Sequence, residues 1–280
     1  MGNIPVYKGY RGEKRIALLD NSSIEFMEKI DREGRFAESF FETYDAIFIP
    51  GWCWEEIADS KFRVSYISKL AEEGYPIYKV EESTYTELMG ERELALYGIV
   101  YASVWKVSEI KSYLKRNVEK SDMLDMEPYR EWVARLYDEW PILGKITVRE
   151  RRKRRNAGEI SLTILAEIFS WYYRDVEIIT IYSQDADTRE FQISAHKRLQ
   201  KESPVKDQTT IGFKSNDLLL CQLYRKNRIT QKQITSFRKD ERTVYYVKKK
   251  ADGTNIIEER RLSNREFIEV IQDKTVEIIF

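Results

Sequence analysis

Histidine is nearly missing from this chain: among 280 residues there is one, His196. A histidine acid–base pair is therefore excluded, and a Ser-His-Asp triad would have to recruit that single residue. His196 falls on a polar helical stretch, Gln192–Gln200, which predicts a surface position. Cysteine is almost as scarce, with Cys53 and Cys221 far apart in the chain. Zinc sites built from Cys and His need more ligands than this. Two isolated cysteines fit reduced thiols in a reducing compartment. Excess charge is lacking too, since Lys+Arg and Asp+Glu both number 47. No bulk field steers a polyanion here, so any binding of one must come from a local patch. No apolar run approaches the roughly 20 residues that span a bilayer. The stretch Met1–Tyr10 lacks the apolar core of a signal peptide, and Val6 stands where a myristoylation signal has Ser or Thr. The expectation is a cytoplasmic protein with no membrane partner.

What is present is enough for a large core, with 42% apolar residues, under a heavily charged surface, with 34% charged residues. Short apolar runs alternate with amphipathic stretches, the pattern of an α/β sheet. The spacing predicts strands at Arg15–Leu19, Ala46–Ile49, Ile77–Val80, Glu177–Tyr182 and Thr210–Phe213. Helices are expected near Ser23–Glu33, Trp54–Glu73, Glu159–Tyr173, Asp187–Gln200 and Asp217–Tyr224. Between about residues 82 and 148 the alternation breaks. That stretch reads as a helical insertion, with helices at Tyr85–Met89, Leu94–Trp105, Val107–Asn117 and Pro128–Trp140. Its tryptophans, Trp105, Trp132 and Trp140, are expected in the core. From about residue 226 the chain turns β-rich, and Ala251-Asp252-Gly253 is a hairpin signal because Asp-Gly suits positive φ. A helix near Asn264–Ile271 and a strand at Thr275–Phe280 follow. The expected organisation is a main domain over 1–225, carrying the insertion, and a C-terminal extension over 226–280. The extension is expected to supply a substrate or self-association surface and no catalytic group.

Carboxylates mark the ends of these elements. Asp20 ends the run Ile16–Leu19, and Asp185 follows the run ending at Tyr182, with Asp187 two residues on. Glu56 follows Ala46–Pro50 on the next helix, and Glu159 opens an apolar helix after Asn156-Ala157-Gly158. A desolvated carboxylate at the end of a buried strand is costly alone. Several that converge are tolerated only with a cation or with protons bound. In open α/β sheets the carboxyl ends of the strands are where ligands bind. A divalent-metal site is the reading these positions support. Ser22 and Ser183 each lie two residues from an aspartate, where a hydroxyl orients a carboxylate or a metal-bound water. Glu55 competes with Glu56, but about 100° of helical phase separates them, so one alone faces the site. The competing reading is that these acids are ordinary strand-end and helix-capping residues.

Taken in order, Leu18-Leu19-Asp20-Asn21-Ser22, Ile49-Pro50 through Glu56-Ile57, Asn156-Ala157-Gly158-Glu159 through Ala166, and Tyr182 through Asp187 resemble the PIN-domain nucleases. The resemblance covers roughly residues 14–80 and 150–220. It implies a five-stranded parallel sheet, Mg²⁺ or Mn²⁺, and phosphodiester hydrolysis, usually of RNA. It also implies that Asp20, Glu56, Glu159 and Asp185 bind the metal, with Asp187 auxiliary. The long insertion and the C-terminal extension depart from a compact member of that family. The expected enzyme is an endoribonuclease that uses metal-activated water. A structure-selective or single-strand DNA nuclease stays open, although Asp187 is the one extra acid for a second ion. So does a catalytically inert scaffold that binds RNA or protein.

Arg149, Arg151, Arg152, Lys153, Arg154 and Arg155 immediately precede the Glu159 segment. Such a run is usually a solvated face. Its closeness to the acids points to binding of a nucleic-acid backbone, RNA before DNA, without sequence readout. A second copy of the chain or an inhibitor protein are further candidate partners. A toxin, a defence effector and a processing enzyme all fit these features.

Overall fold

The structure, a computed structural model, describes residues 4–34, 36–119, 126–139, 143–146, 152–154, 156–202, 208–250 and 252–280. Its chain order begins β1 (Arg15–Leu19), α1 (Asn21–Asp31), α2 (Ala37–Phe41), β2 (Ala46–Pro50), α3 (Gly51–Ile57), α4 (Lys61–Glu72) and β3 (Ile77–Val80). A short 3₁₀ turn over Glu82–Thr84 leads into α5 (Tyr85–Leu88), α6 (Glu93–Ser103), α7 (Ser108–Asn117) and α8 (Tyr129–Glu139). Then come β4 (Leu143–Ile146), β5 (Arg152–Arg154), α9 (Ala157–Tyr172), β6 (Ile178–Tyr182), α10 (Ala186–Glu202) and β7 (Ile211–Lys214). The chain finishes with α11 (Asn216–Arg225), α12 (Gln231–Phe237), β8 (Arg242–Lys249), β9 (Asn255–Leu262), α13 (Asn264–Gln272) and β10 (Val276–Ile278).

The fold is α/β. Five parallel strands form one sheet in the order β3-β2-β1-β6-β7, flanked by helices. Three antiparallel strands near the C-terminus form a second, in the order β10-β8-β9. Ile16–Leu19 of β1 and Ala46–Ile49 of β2 are fully shielded from solvent. Strands covered on both faces need continuous apolar runs, and the sequence supplies them. β1 lies between β2 and β6. The chain builds outward through β2 and β3 on one side, then returns to build β6 and β7 on the other. The order therefore reverses between β1 and β6, and a crevice opens at their carboxyl ends. Leu19 pairs with Tyr182, and the Asp20 N–H extends the ladder to the Tyr182 carbonyl at 3.1 Å. That register sets Asp20 beside Ser183.

Several local expectations are corrected. The helix expected over Trp54–Glu73 is broken, because the Ser60 hydroxyl caps a new helix by accepting from Arg63 N at 3.5 Å. Short helices at Ala37–Phe41 and Gln231–Phe237 were not expected. Nor was the pairing of Leu143–Ile146 with Arg152–Arg154, which puts a strand at the tail of the insertion and turns part of the basic run into β structure. Of the insertion's tryptophans, Trp132 is fully buried, whereas Trp105 is 38% exposed. Trp105 lies against Arg198, 3.6 Å from its ring centre, and Lys111, at 4.1 Å. Trp140 lies outside the described residues. Among the described residues no helix is long and apolar enough to cross a membrane.

The C-terminal sheet is not packed as a separate core. Val244, Tyr246, Leu262 and Phe267 belong to the same buried cluster as the parallel sheet. The Arg238 guanidinium, fully buried, bonds Asp217 Oδ1 on α11 at 3.1 Å, the Leu262 carbonyl at 3.1 Å and Asn264 Oδ1 at 3.0 Å. It also lies 4.5 Å from the centre of the Phe267 ring.

Candidate metal centre

Asp20 follows the last residue of β1 and precedes the first turn of α1. Its Oδ2 accepts two hydroxyl protons, from Ser22 Oγ at 2.7 Å and Ser183 Oγ at 2.9 Å. Burial pushes this carboxyl above its ordinary value; the two serines and the Asn21 N–H hold it down, and Asp185 pushes it up again. Ser183 does more than bond Asp20. It is fully buried, accepts the Asp185 N–H at 3.0 Å and lies 3.2 Å from Thr188 Oγ1.

Glu56 sits near the end of α3, half-buried, and Oε2 accepts from Asn21 Nδ2 at 3.3 Å. Glu55, its neighbour, is exposed and lines a different hollow beside Glu81 and Arg130. The structure thus brings Glu56 to the crevice, as the helical phase requires.

Glu159 lies in the first turn of α9, which begins two residues earlier than expected because Asn156 adopts a left-handed φ of 61° as its cap. Asn is among the few residues that take this conformation readily. A close approach brings α9 to α3: Cys53 Sγ donates to the Gly158 carbonyl at 3.7 Å, and a Cβ on Gly158 would lie 3.3 Å from that sulfur. Glycine at 158 therefore permits the contact that carries Glu159 toward Glu56. Burial raises the Glu159 carboxyl to about 7, and repulsion from Asp20, Asp185 and Glu56 adds to the rise. Buried Cys53 feels the same group; burial pushes its thiol up, as do Asp20, Glu56, Glu82 and Glu159.

Asp185 and Asp187 are exposed. Asp185 Oδ1 accepts the Asp187 N–H at 2.9 Å, which makes Asp185 a cap of α10. Asp187 stands in the first turn of that helix, and the acids that bear most on Glu159 are Asp20, Asp185 and Glu56. Asp20, Glu159 and Asp185 all sit at helix N-termini, where the helix dipole favours negative charge.

Among the described residues no three His, Cys, Asp or Glu side chains are gathered into a closed ligand set. The four acids are neighbours through their fields. Their chemistry nevertheless fits a hard divalent cation, which takes carboxylate and amide oxygens. Asn21 supplies an independent sign. Its Oδ1 is buried with no hydrogen-bond partner among the described residues, although its Nδ2 is bonded to Glu56. A buried acceptor without a donor is uncommon in a folded chain and calls for a water, an ion or a ligand.

Asn21 was not singled out from the sequence, nor was Glu82. Glu82 is buried, and burial raises its carboxyl to about 7 against bonds from Ser161 Oγ and the Trp52 N–H. Gly51 packs so closely against it that any Cβ there would collide with the Glu82 and Glu81 carboxylates. The prediction for His196 is corrected. It is half-buried, with Nδ1 3.1 Å from Oε2 of Glu167, which is fully buried and is also bonded by Gln192 and Trp171. Glu167 lies two turns along α9 from Glu159, so this histidine belongs to the packing of α9 on α10. Of the basic run, Arg149, Arg151 and Arg155 lie outside the described residues, and Arg152, Lys153 and Arg154 are described as backbone in β5.

In comparisons with known proteins, no family model and no curated sequence matches the chain.

Proposed function

We propose that the chain is a PIN-like, metal-dependent nuclease, most simply an endoribonuclease. The observation that carries this reading is the state of Glu159. Three other carboxylates press on it at the one edge of a parallel sheet where the strand order reverses. Such a group is relieved by a cation. Asp20, Glu56, Glu159 and Asp185 would hold Mg²⁺ or Mn²⁺, and the ion when bound lowers the pKa of a water and offsets charge on phosphate oxygens. The chain's own part is positioning. Ser22 and Ser183 fix the Asp20 carboxylate, Asn21 holds Glu56, and the α9–α3 contact sets the depth of Glu159.

The helix-capping bond of Asp185 favours a second reading, an inert scaffold that keeps the acids for structure. Calorimetric titration of the purified chain with Mn²⁺, paired with cleavage of a labelled single-stranded RNA, separates the two. Binding and cleavage that both vanish in Asp20→Asn support the nuclease. A chain that takes up no Mn²⁺ or Mg²⁺ overturns it.

A further inference from the structure

Glu82 lies two residues beyond the end of β3, in the 3₁₀ turn that opens the insertion, and the proposed chemistry leaves it without a task. It is buried, and a buried carboxylate is costly unless donors meet it. Two do, at the same oxygen: Oε1 accepts the Trp52 N–H at 2.9 Å and the Ser161 hydroxyl. Trp52 is the second residue of α3, so its N–H is one of those that a helix start leaves without a partner. Pro50, at the cap position, makes no side-chain cap bond. Glu82 supplies the acceptor from 30 positions away. Ser161 stands on α9, two residues after Glu159. Its hydrogen is committed to Glu82, so the buried Tyr85 hydroxyl, 2.9 Å away, donates to Ser161 Oγ. One carboxylate thus joins the helix that carries Glu56 to the helix that carries Glu159. The direct tie between those helices, from Cys53 Sγ to the Gly158 carbonyl, comes from a weak donor. Gly51 completes the seat: it is buried, and a Cβ there would strike the Glu82 and Glu81 carboxylates.

We infer that Glu82 is a positioning residue for the metal centre, holding α3 and α9 at the separation at which Glu56 and Glu159 take one ion. The inference rests on the nuclease reading and adds to it a side chain that acts on the site through two helices. An apolar side chain would fill this space without burying a charge, but it could not accept from both helices at once. What matters is therefore an oxygen that accepts two bonds, rather than the negative charge. Glutamine keeps that oxygen and alanine does not. The glutamine amide would also turn an N–H toward Glu81, whose carboxylate borders the same side of Gly51.

The test is calorimetric titration of the full-length chain with Mn²⁺ at pH 8, with a thermal melt of each variant in EDTA. Glu82→Gln should keep the parent's affinity. Glu82→Ala and Ser161→Ala should weaken it about 10–100-fold, the range typical of lost groups that orient metal ligands. Leu114→Ala, at a fully buried position on α7, is the control. It should melt earlier than the parent and bind Mn²⁺ equally well. That split separates positioning from a general loss of structure, in which affinity would follow the melting temperature in every variant. If Glu82→Ala does not fold, Ser161→Ala carries the test. Parental affinity in Glu82→Ala, or in Ser161→Ala where that variant stands in, overturns the inference and leaves the nuclease reading standing. A Glu82→Gln chain that loses as much as Glu82→Ala overturns it as well, since the charge and not the acceptor would then matter. The same holds if affinity falls with melting in Leu114→Ala. A parent that takes up no Mn²⁺ overturns both.

Discussion

Ser183 Oγ lies 2.9 Å from Asp20 Oδ2, although the two residues are 163 positions apart. The bond ties the end of β6 to the end of β1 across the crevice where the strand order turns. Ser22 reaches the same oxygen from the other side. Both hydroxyls hold down a carboxyl that burial pushes up. Ser183→Ala and Ser22→Ala should each leave the fold intact and weaken metal affinity about 10–100-fold, the usual cost of losing a bond that orients a ligand. The pH profile of activity should also move toward the alkaline side, because Asp20 then gives up its proton later. Titration with Mn²⁺ and a rate–pH series measure the two effects. Variants with the parent's affinity and profile would make the serines mere packing.

Glu159 gives a dependence on pH that runs opposite to the common one. Its carboxyl titrates at about 7 in the folded chain against an ordinary 4.5. Between those values the folded chain holds more protons than the unfolded chain, so stability falls as pH rises through that window and levels off above it. Glu82, also raised to about 7, adds a change of the same sign. In EDTA the protein should therefore be more stable near pH 5 than near pH 8. Glu159→Gln cannot titrate, so it should flatten the profile and stabilise the metal-free chain at pH 8 by about 1–3 kcal/mol. Urea unfolding at the two pH values tests this. A parent that gains stability from pH 5 to pH 8 without metal contradicts it.

Arg238 is the bolt between the parallel sheet and the C-terminal sheet. Its side chain and that of Asp217 are essentially inaccessible to solvent. Breaking such a pair leaves a charge buried and unmatched. Arg238→Met alone should cost ~3–5 kcal/mol, as should Asp217→Leu alone, whereas Arg238→Met together with Asp217→Leu should recover most of the loss. Thermal melts of the two singles and the double form the cycle. Similar small losses in all three would mean that the C-terminal sheet is held by its apolar contacts alone.

The sheet was legible in the sequence for a simple physical reason. Parallel strands buried on both faces must be continuous apolar runs, so Arg15–Leu19 appears at its full observed length and Ala46–Ile49 lacks only the last residue of β2. The acids that end these runs were legible with them. The pairing that makes them a site was not. Nothing local in Asn21 announces that its amide meets Glu56 35 positions on, and nothing in Ser183 announces Asp20. Periodicity also hid the break at Ser60, since a single side-chain cap splits an amphipathic stretch without disturbing its pattern. His196 misled because its helix is polar overall, while its partner, Glu167, is a charge buried on another helix. Glu82 stayed hidden for a related reason: its carboxylate is buried by Gly51 and Ser161, both distant in the chain.

The nature of the cut follows from the residues at hand. The chain's one histidine is bound to Glu167, two turns along α9 from the acids. No histidine pair is there to draw the proton from a ribose 2′-hydroxyl and protonate the leaving oxygen. Under the proposed reading the attacking group is water and the 3′-oxygen departs. The products are then a 3′-hydroxyl on one fragment and a 5′-phosphate on the other. A single deoxynucleotide at the cleaved position should slow the reaction without blocking it, unless that hydroxyl is needed for recognition. Mass spectrometry of the fragments reads the ends directly. Termini carrying 2′,3′-cyclic phosphate, or full activity in excess EDTA, would remove the chemistry assigned to Asp20, Glu56, Glu159 and Asp185 together.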